Sequence, residues 1–254
     1  MPEDNVYFLL LLEDFLLTFR NGGFMIINTD FWVLIYTCWL FNFVLLSQIE
    51  LMQIEKEYVR KNILAAATPL FYAKGYAKVP MRKIAEAAHV GLSNIYNYYD
   101  SKDDIFHEIV RPVVNCFYEM LDEHHGKRGA DILEMFTNDY LRSVIDEYVS
   151  IVNKYRGLLF LLLFRSQGTS LERFKEDFSD RSTMLVKDYF LKMKRKHPDL
   201  NIDVSDFTIR LHTVWMFTML EELIVHRRTP DETEKIITEY MIFCVTGWRE
   251  LMKG

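Results

Sequence analysis

The sequence predicts an all-α protein, and three observations carry that prediction. No alternation of apolar and polar residues persists anywhere as a strand would require; apolar residues instead recur at helical spacing through most of the chain. Residues 81–102 read as two short helices joined by a tight turn. At 254 residues with half of them apolar, the chain is long enough for one small and one larger helical domain, each with its own core.

The elements follow in order. Residues 1–51 form an apolar extension in which Arg20 is the one basic residue, against Glu3, Asp4, Glu13, Asp14, Asp30 and Glu50. Its uncharged run, 31–49, has the length of a membrane span, and Lys56, Arg60 and Lys61 after it would hold the following domain in the cytoplasm. Met1-Pro-Glu-Asp lacks the basic start of a signal peptide. The competing expectation places the natural start at Met52, because the run is rich in Phe, Leu, Ile and Asn and has no lysine.

From there, Val59, Ile63, Ala66, Ala67, Leu70 and Phe71 make an apolar stripe that Lys74-Gly75-Tyr76 stops, with a bend expected at Pro69. Ile84, Ala85 and Ala88 face inward from a second helix, and Val90, Ile95 and Tyr96 supply the apolar side of the turn and of a third helix over 92–99. That third helix turns Ser93, Asn94 and Asn97 outward, short hydrogen-bonding side chains suited to base edges or phosphates. Ser101 is the expected N-cap of the next helix, with Asp104 completing a capping box. Further helices are expected over 102–124, 130–154, 156–165, 170–196, 205–227 and 231–252. Pro112 predicts a kink in the first of these.

The ordered set Ile63-Leu64-Ala65-Ala66-Ala67, Leu70-Phe71, Lys74-Gly75-Tyr76, Ile84-Ala85, Ala88, Val90, Ile95-Tyr96, Tyr98-Tyr99 and Ser101-Lys102 closely resembles the N-terminal domain of TetR-family (TetR/AcrR-like) transcriptional regulators. The resemblance implies a three-helix helix-turn-helix DNA-binding domain over 52–101, its motif at about 80–99. A larger helical domain over 102–254 would then bind a small molecule and form a homodimer. It also implies a palindromic double-stranded operator and a repressor released by its effector. Arg82, Ser93, Asn94 and Asn97 become candidates for base contacts, and Lys83, Tyr98, Tyr99 and Lys102 for phosphates. Three departures stand out. His89, Gly91 and Ser93 replace the family's Gly, Ser and Gly, so the turn glycine is displaced by two places. Met81 stands where a Ser or Thr usually caps the second helix, and Pro69 lies inside the first.

Charge agrees with the resemblance once the extension is set aside. The whole chain carries a formal charge of −6, but the extension holds six of its acids. Within 52–100, Lys56, Arg60, Lys61, Lys74, Lys78, Arg82 and Lys83 outnumber Glu55, Glu57, Glu86 and Asp100, as phosphate binding requires.

In the larger domain, Tyr140, Phe160, Phe164, His212, Trp215, Phe217 and Met219 are the candidate lining of an apolar ligand cavity, with His212 as a polar handle. The last helix has one stripe of Ile237, Tyr240, Met241, Cys244, Val245 and Trp248 and a second face at Ile236, Phe243 and Gly247. A helix apolar on two sides must be covered on two sides, which predicts dimerisation through about 205–252. His124-His125 and the Glu222/His226 pair lack a third ligand and read as surface salt links, so no metal, cofactor or catalytic group is expected. Cys38, Cys116 and Cys244 form no disulfide framework, which suits a reducing cytoplasm. The alternative function is a non-transcriptional DNA-binding protein that localises on the chromosome or at the membrane.

Overall fold

A computed structural model describes residues 29–126, 129–226 and 228–253, and all of its regular structure is helical. Two compact units divide the chain, 1–57 and 58–254, and each is taken by itself. Helix α1 is assigned over Thr29–Lys74. In the first unit, among residues whose side chains are described, Phe41, Phe43 and Leu46 are exposed and Trp39 stacks on Phe43 at 5.6 Å. The run 31–49 falls partly outside the described side chains, and among the described residues no helix is long and apolar enough to cross a membrane.

In the second unit the stripe on α1 closes a small core. Ile63, Ala67 and Phe71 have no exposed surface, and Phe106 meets Phe71 and Tyr76 edge-on at 5.5 and 5.6 Å. Pro69 does not end α1; it removes one ladder hydrogen bond while the helix runs on to Lys74. After a 3₁₀ turn at Tyr76–Lys78 come α2 (Met81–Ala88) and α3 (Leu92–Ile95). The helix expected over 92–99 is therefore one turn long. Beyond Ile95 the chain tightens into i→i−3 bonds, Asn97 N–H to Asn94 O at 3.1 Å and Tyr98 N–H to Ile95 O at 2.9 Å.

Helix α4 (Lys102–His125) begins with the expected capping box: Ser101 Oγ accepts from the Asp104 N–H, and Asp104 accepts from the Ser101 N–H. It passes through Pro112 as one helix. The two helices expected over 130–154 and 156–165 are one element, α5 (Asn138–Phe164), with a kink where Tyr155 leaves helical geometry (φ −114°, ψ 17°). Residues ahead of it form a 3₁₀ turn, Glu134–Phe136, before Thr137 caps α5. Helices α6 (Phe174–Lys196), α7 (Asp206–Val225) and α8 (Pro230–Leu251) complete the body, α6 packing on α7 and α8 on α5. Helix α6 starts four residues later than the sequence suggested, because 165–173 is spent in turns around Gly168 (φ +85°). At the centre Phe117, Phe174, Phe178 and Phe217 meet ring to ring, with Phe117 5.5 Å from Phe217 and 5.6 Å from the other two.

Candidate nucleic-acid interface and ligand cavity

The turn between α2 and α3 depends on a left-handed residue. That residue is His89 (φ 54°, ψ 37°), whose N–H donates to the Ala85 and Glu86 carbonyls and closes α2. Gly91 has φ −60° and open space around a Cβ, so the displaced glycine is not what permits the turn. The family-like geometry persists with a histidine carrying the strain. At the other end of α2, Pro80 rather than Met81 occupies the N-cap, Met81 being the first helical residue, and no side chain caps the helix.

Burial divides the motif's side chains. Ile84, Ala85 and Ile95 are buried, whereas Arg82, Lys83, Ser93, Asn94 and Asn97 are exposed. The Asn97 amide donates to Asn94 Oδ1 at 2.9 Å, which presents the two side chains as one pre-set unit. Lys83 Nζ lies 2.7 Å from Glu86 Oε2, and Arg82 reaches the same carboxylate at 3.6 Å. The Lys83 hydrogen bond holds the Glu86 carboxyl below its ordinary pKa.

Three tyrosines need correction. Tyr99, expected at a phosphate, is only 4% exposed: its ring lies under the Arg60 guanidinium at 5.2 Å, beside the Arg60–Glu108 ion pair, and burial raises its pKa. Tyr98 is half-buried against the core. Tyr96, expected on the apolar side, is 51% exposed. Tyr99 returns to the buried face of Ile95 four residues on, its N–H donating to Ile95 O at 3.1 Å, while Tyr96 lies beyond the end of α3.

Lys102 also differs. Its ammonium donates to the Tyr76 and Val79 carbonyls at 2.9 Å each and sits 3.9 Å above the Tyr76 ring, and burial lowers its pKa. Two of its three donors are used inside the fold, closing the 76–79 turn from the start of α4.

A second attachment reaches the same region from the end of α5. Tyr76 N–H donates to Arg165 O at 3.0 Å, and Arg165 Nε to Tyr72 O at 3.2 Å. Ser170 Oγ donates to Asp103 Oδ2 at 2.6 Å and lies 2.5 Å from His107 Nε2. Phe160, expected in a ligand cavity, instead packs on Tyr72 at 4.6 Å, and Phe164 continues that stack at 5.5 Å. These rings belong to the clasp between α5 and α1. Trp215 is 47% exposed on α7, while Phe217 and Met219 are core.

The cavity itself, about 180 Å³, opens among α4, α5, α6, α7 and α8. Tyr140 and His212 line it as expected, whereas Phe160, Phe164 and Trp215 do not. Sequence reasoning missed that His124 and His125 line it; the one link His124 makes to a carboxylate is half-buried rather than on the surface. His124 Nε2 lies 2.7 Å from Glu147 Oε2, and its Nδ1 lies 2.5 Å from the Tyr140 hydroxyl. Because a carboxylate only accepts, Nε2 carries a proton, and in the neutral ring Tyr140 donates to Nδ1. Burial pushes His125 down to about 3 and His212 to about 4. The Glu222–His226 pair, by contrast, is the exposed salt link expected, at 2.9 Å. Among the described residues no group of three His, Cys, Asp or Glu is placed to hold a metal. Cys116 and Cys244 are free thiols, and the Cys38 side chain lies outside the described residues.

On the outside of α7 and α8, Val214, Trp215, Ile242 and Phe243 are exposed, while Ile237, Met241 and Cys244 of the same last helix are buried.

A closed helical core that carries a short helix-turn-helix, attached at two points to a cavity-bearing bundle, defines the class of helix-turn-helix proteins. The family described as "Bacterial regulatory proteins, tetR family" matches residues 63–109, the helix-turn-helix part of this chain. The chain is similar to the uncharacterized HTH-type transcriptional regulator YhgD of Bacillus subtilis (25% identical, over 54% of this chain and 61% of that protein). It is also similar to the biofilm operon icaADBC HTH-type negative transcriptional regulator IcaR of Staphylococcus epidermidis (24%, over 37% and 51%). The matches thus span less than two thirds of both curated relatives. In fold it resembles a TetR-like transcriptional regulator from Rhodococcus sp. RHA1, with TM-score 0.50 and 18% identity over 74% of this chain and 96% of that one.

Proposed function

We propose that the chain is a transcriptional repressor that binds a palindromic double-stranded operator as a homodimer and leaves it when a small molecule occupies the cavity. The observation that carries the reading is the exposed set Arg82, Lys83, Ser93, Asn94 and Asn97 on a motif whose Ile84, Ala85 and Ile95 are buried, with Asn97 bonded to Asn94. Short amides at the start of a recognition helix suit base edges, and the two cations suit flanking phosphates. Tyr98 keeps a place at the edge of that set; Tyr99 and Lys102 act from inside the fold.

Repression is supported by the likeness to a negative regulator. In this reading the DNA-binding domain spans 52–101 and the effector-binding and dimerisation domain 102–254, and the protein works in the cytoplasm without catalytic activity. The exposed Trp215, Ile242 and Phe243 are the surface for a second copy through α7 and α8.

Selection of bound fragments from genomic DNA tests the proposal. One palindromic sequence enriched upstream of few genes is the expected result, with sedimentation at the mass of two chains per site. Fragments without a shared sequence would overturn operator recognition, and a monomer that retains full affinity would overturn the dimer.

A further inference from the structure

We infer that the cavity among α4–α8 takes a neutral phenol with a single ring. The inference deepens the proposed effector site and rests on that reading.

Size sets the first limit. The cavity is about 180 Å³. An apolar cavity of about 150 Å³ holds benzene, so one ring and a small substituent fill this one. Met120, Met135, Met216 and Met241 are among its walls, and their polarizable sulfurs suit an aromatic ring.

Charge sets the second. Among the described residues no Asp, Glu, Lys or Arg lines the cavity, and the nearby Glu147 carboxylate is already engaged by His124. The low pKa values of His125 and His212 keep both rings uncharged near pH 7. A carboxylate or an ammonium entering here would lose its hydration without meeting a counter-charge.

Hydrogen bonding sets the third. Among the described residues, buried His125 Nδ1 has no hydrogen-bond partner and the buried Tyr240 hydroxyl has only the weak Cys244 thiol beside it, whereas Tyr148 is met by Met216, Ser182 by Thr213, and Tyr140 by His124. A phenolic hydroxyl both donates and accepts, so it can serve an unprotonated imidazole nitrogen or a tyrosine O–H. A ring without a hydroxyl leaves His125 Nδ1 unmet and Tyr240 with the thiol alone.

Titration calorimetry of the full chain at pH 7 with phenol, toluene and benzoate tests this without DNA. Phenol is expected to bind about tenfold more tightly than toluene, with no benzoate heat. At least one of Tyr240→Phe and His125→Leu is expected to bring phenol to within about threefold of toluene while toluene binding persists, which certifies an intact cavity. Benzoate binding as tight as phenol, neither ring binding at millimolar concentration, or an undiminished phenol advantage in both variants would overturn the inference. A chain that selects an operator but ignores phenol loses this inference and keeps the regulator; one that binds phenol but selects no DNA does the reverse.

Discussion

At the residue scale, His89 is the clearest test of how the motif is built. A non-glycine residue in the left-handed region costs about 1–2 kcal/mol, less for histidine than for bulkier types, and glycine gives back part of the gain as unfolded-chain entropy. His89→Gly is therefore expected to stabilise the protein by about 0.5–1 kcal/mol, raising the melting temperature by about 1–4 °C. A lower melting temperature would mean that the imidazole itself holds the turn. Cations at the interface separate by what they already touch. Lys83→Ala should lower the salt slope of DNA binding by about 1, because Lys83 stands exposed with only Glu86 beside it. Lys102→Met should leave that slope nearly unchanged and cost about 1–3 kcal/mol of stability, through the Tyr76 and Val79 carbonyls it abandons. Equal salt slopes for the two variants would return Lys102 to the phosphate backbone. Asn94→Ala should cost about 1–3 kcal/mol of operator binding and relax one base preference, and Asn97 should share that effect through their mutual bond. Sequence pattern identified the Ser101–Asp104 cap because capping is local chemistry. It misplaced Tyr96 because α3 ends at Ile95, and it gave Tyr99 a phosphate role through the resemblance although Tyr99 lies four residues after Ile95 and shares its buried face.

At the element scale, α4 and α5 make both attachments between the motif and the bundle. Helix α4 carries Lys102 and Asp103 at its start and His124 and His125 near its end, so one rigid element touches both the 76–79 turn and the cavity. Helix α5 does likewise, with Tyr140 at the cavity and Arg165 just beyond its end holding Tyr72. Its kink at Tyr155 lies between those two ends, and the sequence rendered it as a break between two helices. The clasp at Ser170 was not legible at all: Ser170 lies over sixty residues from both Asp103 and His107, and only the fold unites them. Ser170→Ala removes an exposed but charge-assisted bond, and loosening of about 1 kcal/mol is expected. Hydrogen exchange at the Tyr76 amide, which depends on Arg165 O, should speed up about fivefold while the amides of α7 keep their protection. Unchanged exchange at Tyr76 would show that Arg165 alone holds the clasp.

At the scale of the whole molecule, five helices each lend a few side chains to one cavity, and this explains the uneven record of prediction there. Tyr140 and His212 were found because they are aromatic or polar interruptions of apolar stripes; His124 and His125 were dismissed because a histidine pair near a helix end looks solvated until α5, α6 and α7 close around it. Their burial has a consequence for stability. His125 and His212, held at about 3 and 4, stay neutral in the folded state well below the ordinary histidine value, whereas the unfolded chain takes up protons at about pH 6.5. The unfolded state therefore binds more protons in acid, so the stability these groups contribute is full above about pH 6.5 and is lost as the pH falls from there toward 4. Each contributes a slope of up to about 1.4 kcal/mol per pH unit in that window. Asp131, hydrogen-bonded by Lys196 and His197 and so held below the carboxylate range, loses its contribution only at still lower pH, which separates the two effects. Urea unfolding at pH 7, 6 and 5 should thus show a falling midpoint with unchanged denaturant dependence, and His212→Leu should flatten the fall by about half. A midpoint that holds level to pH 5 would mean that both imidazoles reach water in the folded protein, and that the cavity is wetter and more tolerant of charge than its lining indicates.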